Sequence, residues 1–150
     1  MIFNDLTQKA YDMALIAHED QVDKAGNPYI QHVISVASKM TTTEETCVAL
    51  LHDVLEDSSI FTVEQIYEGF GCDVGFAVNL LTRKKNEKYW SYIKDIATND
   101  LARTVKIADL HDNCRLDRFK GIKVPDDVVS LIETRYRPAL AYLLNVSDKQ

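Results

Sequence analysis

The run Leu50-Leu51-His52-Asp53-Val54-Leu55-Glu56-Asp57 is where this chain could do chemistry. It begins apolar and then sets out four ionisable groups. On a helix, residues four apart stack on one face, so His52 would lie above Glu56 and Asp53 above Asp57. His52 and Asp53 are about 100° apart around the axis, which lets both reach one ion in a cleft beside the helix. Three carboxylates at such close quarters repel one another unless a cation neutralises them. Glu56 and Asp57 would sit one turn along, near whatever the ion holds.

Two further groups could complete the site. His32 follows Pro28-Tyr29-Ile30-Gln31 at the entry to its own helix, and Asp109 ends the apolar stretch Val105-Lys106-Ile107-Ala108. An acid in that apolar setting needs a partner. Asn113, four residues on, shares its face. Two imidazoles and two carboxylates form a mixed N/O set that suits Mn²⁺, Fe²⁺ or Zn²⁺ better than Ca²⁺. Each position alone has a blander reading. A lone His-Asp pair is a weak signal, a carboxylate run at a helix end is ordinarily a solvated face, and Asp109 could pair with Lys106 or Arg115. His18 reads as a surface or packing histidine, and His111 as a group behind the ligands. The whole pattern, with His32 before and Asp109 after, is far harder to obtain by chance.

The elements that must position these groups are helical. Apolar residues recur with helical period over 6–22 and 29–40, separated by the breaker Lys24-Ala25-Gly26-Asn27-Pro28. Thr42 or Thr43 can cap the helix that carries Cys47, Val48, Leu50 and Leu51. Thr62-x-x-Gln65 has the pattern of a capping box, and Gly71 suits a helix stop. Asp73 can cap a helix over 74–81. The basic link from Arg83 to Lys88 leads to a helix over 89–97. Asp100 can cap a helix over 101–119 that Gly121 ends. Pro125, Asp126 and Asp127 read as the first turn of the last helix, which Pro138 should kink by removing a donor and crowding the preceding turn. No segment alternates like a strand. The expectation is an all-α fold, a single domain over 1–150, built as a bundle of seven or eight helices.

Composition narrows the function. The chain has 150 residues, 46% hydrophobic and 27% charged, with formal net charge -6. That balance argues against a nucleic-acid polymer, which wants a basic face. It leaves room for a small anionic ligand beside a metal ion. Cys47, Cys72 and Cys114 are odd in number and form no C-x-x-C, so they read as reduced thiols mostly packed inside. Neither a leader pattern nor a long apolar run is present, so the expectation is a cytoplasmic protein without a membrane partner. The oligomeric state is not legible.

Together, Lys24 to His32, Ala49 to Ser58, Phe70-Gly71, and Val105 to Asp109 with Asn113 and Arg115 resemble the HD hydrolase domain of the RelA/SpoT family, most closely its stand-alone small alarmone hydrolases. The pieces occur in the family's order and span roughly residues 10–120. The resemblance implies an HD-superfamily helical bundle in which His32, His52, Asp53 and Asp109 bind one divalent metal, typically Mn²⁺, with Fe²⁺, Zn²⁺ or Co²⁺ as alternatives. It implies that Glu56 and Asp57 position and activate the attacking water, that Lys24 lies by the base or phosphates, and that Asn113 lies by the ribose. The reaction it implies is removal of the 3′-pyrophosphate from guanosine tetra- and pentaphosphate, a small nucleotide substrate. Arg83, Lys84, Lys85 and Lys88 are candidates to meet distal phosphates, against the alternative of a solvated basic loop. The chain departs from the family pattern at Asp23, where a basic residue is common, at Ala25, at Asp112, where the family usually has histidine, and at Leu116. Two other readings therefore stand beside the first. One is an HD enzyme acting on another nucleotide: an adenosine alarmone, NADPH or a 5′-monophosphate. The other is a module that binds a nucleotide without cutting it.

Overall fold

Side-chain caps and glycine turns cut the helical pattern into nine α-helices among the residues that the computed structural model describes, 1–56 and 59–149. No β-strand forms among them; one isolated bridge joins Val22 to Pro28. Helix α1 (Asp5–Ala17) starts at Asn4, whose side chain accepts from Thr7 N while Thr7 answers the Asn4 backbone. It stops well short of residue 22. His18 Nδ1 pairs with Gln21 Oε1 at 2.7 Å, and Asp20 turns left-handed at φ 61°. The loop beyond is built by Asp23, whose Oδ1 accepts from the backbone of Ala25 (2.8 Å) and Asn27 (2.9 Å). Gly26 completes that turn at φ 86°, a conformation glycine adopts without strain.

Helices α2 (Ile30–Ala37) and α3 (Thr43–Leu51) follow, with Thr42 capping the second through Glu45 N. The predicted Thr62–Gln65 capping box opens α4 (Val63–Phe70) in both directions. Gly71, at φ 90°, ends α4 and also starts α5 (Cys72–Leu81), so Asp73 lies inside the first turn and is not the cap. Helix α6 (Tyr89–Ala97) stands where periodicity put it. Asn99, in extended conformation, caps α7 (Asp100–Asn113) by accepting from Ala102 N, one residue before the expected cap. Helix α7 also ends earlier than 119. Arg115 turns to bond Asp112 and Asp117, and a short 3₁₀ turn (Asp117–Phe119) leads to the left-handed pair Lys120 and Gly121.

Helices α8 (Asp126–Leu131) and α9 (Arg137–Asp148) are joined by a π-turn, Ile132–Tyr136, so the two form one rod. Pro138 gives the reason. It has no N–H for the carbonyl one turn back, and its ring needs room there, so the backbone widens instead of breaking. With that rod counted once, the described residues make eight rods, in line with the expected seven or eight.

Helices α3 and α7 hold the centre. Helix α3 packs on α1, α2, α5 and α7; α7 packs on α2, α3, α5, α6 and α9. Thr46 through Leu51 are all buried, as are Val105, Ala108, Asp109, Leu110 and Asp112. Of the cysteines, Cys47 is buried and Cys114 half-buried, but Cys72 is exposed at the start of α5. No helix among the described residues is long and apolar enough to cross a membrane.

One expectation about the central run needs correction. Helix α3 stops at Leu51, and His52 is its C-cap. The next residues close tighter turns, with Val54 N bonded to Leu51 O (3.1 Å) and Glu56 N to Asp53 O (3.3 Å). The imidazole of His52 sets this up by donating from Nδ1 to Ala49 O at 2.6 Å. His52 and Glu56 therefore do not stack on an α-helical face. Leu51, wholly buried directly before His52, anchors that turn to the core. Leu51→Ala should cost about 2–5 kcal/mol in urea unfolding of the metal-free protein and should weaken metal binding as well; an unchanged unfolding midpoint would show that the turn does not depend on this anchor.

Candidate active site

The first turn of α2, the end of α3 and the second half of α7 meet at one buried point. His32, His52 and Asp109 each offer a ligand atom there, all within 4.8 Å of one another. Asp53 joins them from the open side: its Oδ2 is 3.1 Å from His52 Nε2, and its side chain is 21% exposed, against 2% for His52. The four expected ligand residues are thus brought together from three helices, with Asp53 facing the cleft.

Hydrogen-bond direction says what this point can hold. Ala49 O can only accept, so the 2.6 Å contact puts a proton on His52 Nδ1. Asp112 Oδ2, 2.6 Å from His32 Nδ1, does the same for the other ring. Both Nε2 atoms then face carboxylate oxygens. His32 Nε2 lies 3.0 Å from Asp109 Oδ1, and His52 Nε2 lies 3.5 Å from the same atom. Among the described residues His52 Nε2, though buried, makes no hydrogen bond. Lone pairs aimed at carboxylates are tolerated only if each Nε2 takes a proton or the four groups share a cation. In the metal-free protein the first solution operates. Burial works against charge on His32, yet bonds to Asp109 and Asp112 outweigh it and raise its pKa to about 9. Burial likewise opposes charge on His52, and the field of Asp53 with Asp109 overrides it, so His52 is raised well above its ordinary value. The two acids titrate low despite burial, Asp109 chiefly through Lys106 and Asp53 chiefly through His52. A divalent ion is the second solution. The donor set, two imidazole nitrogens and two carboxylates, fits one.

Each of these four side chains is held from behind. Tyr29 OH donates to Asp53 Oδ2. Lys106 Nζ donates to Asp109 Oδ2 at 2.7 Å, and Asn113 Nδ2 to Asp109 Oδ1 at 3.1 Å. Of the two partners considered for Asp109, Lys106 takes it, while Arg115 pairs with Asp112. His111 is exposed and the buried group behind His32 is its neighbour Asp112, because Asp112 falls three residues from Asp109 and so shares its inward face. That spacing was the available signal for Asp112, as it was for Lys106 beside Asp109; nothing local marked Tyr29. His18 is a packing histidine, buried against the Tyr29 ring at 4.9 Å.

A cleft of about 420 Å³ opens over Asp53 and Asp109, within the size range of small-molecule sites. Lys24, Asn113, Arg83 and Glu56, all singled out from the sequence, line it. Glu56 stands at its exposed lip, its Oε1 accepting from Arg83 N at 2.7 Å. Lys24 bonds Asp127 at 2.9 Å. Lys84 does not line this cleft. Its ammonium is turned onto the end of α5, bonding Asn79 O (2.7 Å) and Thr82 O (2.8 Å). Asp57 lies outside the described residues. Sequence reasoning missed the far wall: Arg118, Arg135, Tyr136 and Tyr89 also line the cleft. The Tyr89 ring is stacked between two guanidinium groups, Arg83 at 5.6 Å and Arg135 at 5.1 Å from its centroid. Arg135 and Tyr136 belong to the π-turn, so the strain that Pro138 signals ends up supplying cleft residues.

The HD domain family matches residues 10–112. The chain belongs to this family. Within the HD domain fall His32, His52, Asp53 and Asp109, with Glu56 and Asp112; Asn113, Arg118, Arg135 and Tyr136 lie beyond the matched span. A guanosine-3′,5′-bis(diphosphate) 3′-pyrophosphohydrolase of Aquifex aeolicus is 38% identical over 120 residues, 72% of this chain and 17% of that protein. A GTP pyrophosphokinase of Myxococcus xanthus is 30% identical over 129 residues, 74% of this chain and 17% of that one. The chain therefore spans about a sixth of the length of these relatives. A solved structure described as a metazoan ortholog of SpoT that hydrolyses ppGpp superposes with TM-score 0.76 at 24% identity, over 96% of this chain and 88% of that chain. That likeness establishes the all-α HD fold.

Protons and metal compete for the same Nε2 atoms in this HD centre. His32 is raised in the metal-free fold from 6.5 to about 9. Its charge therefore stabilises the metal-free fold fully below pH 6.5 and ceases to as pH rises towards 9. Metal requires the neutral ring, so metal affinity rises over the same window. Melting temperatures of stripped protein should fall between these pH values, whereas saturating Mn²⁺ should abolish or reverse the fall. Parallel curves with and without metal would separate the ion from these histidines.

Proposed function

We propose that this chain is a metal-dependent phosphohydrolase that removes the 3′-pyrophosphate from guanosine tetra- and pentaphosphate, with residues 1–150 as one catalytic unit. The observation that carries the reading is the buried convergence of His32, His52 and Asp109, with Asp53 beside them, under a cleft that also holds Glu56 and several cations. The name of the Aquifex aeolicus relative, a guanosine-3′,5′-bis(diphosphate) 3′-pyrophosphohydrolase, supports the same substrate.

His32, His52, Asp53 and Asp109 would hold the ion, with Mn²⁺ as our choice. When bound, a divalent ion supplies Lewis-acid polarisation of a phosphoryl oxygen and makes water a stronger acid. Glu56, held at the lip by Arg83 N, accepts the proton of the attacking water, with Asp57 next to it in sequence as its helper. Water oxygen bonds to phosphorus, the bond from phosphorus to the ribose 3′ oxygen breaks, and that oxygen takes a proton from solvent. Arg83, Arg118 and Arg135, all lining the cleft, meet the departing pyrophosphate; a planar guanidinium fork suits phosphate oxygens. Asn113 and Lys24 are assigned to the nucleoside end. Lys84, committed to the end of α5, is the weakest of the phosphate candidates.

A second reading keeps the chemistry and changes the nucleotide. It is favoured by Asp23, which lines the cleft as an acid and stands 3.9 Å from Arg118. A panel of guanosine and adenosine alarmones, NADPH and 5′-monophosphates, scored for released phosphate against pyrophosphate, separates the two. Asp53→Ala should lose both metal and turnover. Glu56→Gln should keep metal and lose about 10²–10⁴-fold in kcat; full activity in that variant would remove Glu56 from the proton-accepting role.

A further inference from the structure

Behind His32 lies a carboxylate with a narrow task. Asp112 is 4% exposed. Its Oδ2 takes one partner, His32 Nδ1 at 2.6 Å. Its Oδ1 takes two, Ser35 Oγ at 2.6 Å and Arg115 Nη1 at 3.0 Å. The second oxygen is thus anchored from α2 and from the end of α7, and the carboxylate is held with the first oxygen on the imidazole. We propose that Asp112 is a positioning residue that fixes the tautomer of His32, so that Nε2 presents its lone pair to the ion, and that it does so because it can only accept hydrogen bonds. The inference rests on the metal-centre reading above and extends it to a residue that never touches the ion.

The physical case is a matter of donors and acceptors. A neutral imidazole carries one N–H, and the partner of one nitrogen decides the state of the other. An ionised carboxylate offers no proton, so Nδ1 must donate and Nε2 is left bare. His52 receives the same instruction from Ala49 O, but that acceptor is backbone and no side-chain exchange removes it. At His32 the instruction comes from a side chain and can be changed. An isosteric amide would have to choose an orientation. Arg115 has only donors, so it holds the amide oxygen on its side, and the NH₂ group then faces His32 Nδ1. Nδ1 becomes the acceptor, the proton moves to Nε2, and that N–H points at the ion's place. The least perturbing replacement in shape is therefore the most damaging in tautomer. Truncation to alanine would instead leave Nδ1 to water, which can accept or donate and so fixes neither tautomer.

The test is titration of Mn²⁺ and of Co²⁺ into metal-stripped protein at one fixed pH, for the wild type, Asp112→Asn, Asp112→Ala and Asp53→Ala, with circular-dichroism melting of each stripped protein. Partners behind metal-bound histidines commonly contribute 10–100-fold to metal affinity. Asp112→Asn should lose at least tenfold, and at least as much as Asp112→Ala, with cooperative melting retained in both; the visible Co²⁺ band should weaken in the same order. A role in packing alone predicts the reverse order, since asparagine fills the space and alanine does not. Wild-type affinity in Asp112→Asn, or a smaller loss there than in Asp112→Ala, would overturn the assignment. Should Asp112→Asn not fold, undiminished affinity in Asp112→Ala would overturn it too. Failure of the underlying reading looks different: the wild type would take up no ion, or Asp53→Ala would bind one as tightly.

Discussion

Two imidazole nitrogens and two carboxylates face one another, with His32, His52 and Asp109 buried and Asp53 partly exposed. This arrangement cannot stand uncompensated, because like lone pairs and like charges taken out of water cost several kcal/mol each. Protons on both Nε2 atoms solve it in the metal-free protein, and one divalent ion solves it otherwise. Much of the surrounding structure answers this constraint. Ala49 O and Asp112 occupy the Nδ1 atoms, Tyr29 holds Asp53, and Lys106 with Asn113 holds Asp109. A carbonyl, a carboxylate, a phenol and an ammonium each do what their donor and acceptor inventory allows.

Rigidity comes from where these groups are mounted. Helices α3 and α7 are the most enclosed elements; His52 and Asp53 follow the end of α3, Asp109 lies on the inward face of α7, and His32 meets them from the first turn of α2, where packing leaves few alternative rotamers. The cleft above is mounted differently. Its walls come from the loop of Lys24, the link at Arg83, the turn after α7 and the π-turn of the last rod. These segments lie nearer the surface, and they carry the cations. A chain with net charge -6 thereby gathers Lys24, Arg83, Arg118 and Arg135 around one opening, beside the acids Asp23, Asp53, Glu56 and Asp109. The converging histidines and acids thus stay on the core, and the cleft above them is walled by surface segments.

Much of this was legible in residue order, and the reasons differ by residue. His32, His52, Asp53 and Asp109 stood out because ionisable groups directly abutting apolar runs are costly without a purpose. The capping box at Thr62 and Gln65 and the break at Gly71 could be read because their hydrogen bonds and torsions are local. Pro138 announced a distortion for the same reason, although not its form as a π-turn. The end of α3 was misread because the helix yields there to a bond from a side chain to the backbone, His52 to Ala49, which periodicity does not register. That Lys84 turns onto the end of α5 was not legible, because a basic run says nothing about which ammonium will cap a neighbouring helix.

By itself, the sequence determined the all-helical class, most helix starts and the net charge, and it singled out His32, His52, Asp53 and Asp109, since each follows from short-range sterics, periodicity or composition. Only the tertiary structure decided that Asp112 rather than His111 backs His32, that Lys106 rather than Arg115 takes Asp109, and that Arg135 and Tyr136 reach a cleft more than a hundred residues from Lys24. These are choices among donors and acceptors that are chemically equivalent in a list. Distance and direction separate them, and both arise only once α2, α3, α7 and the last rod have packed.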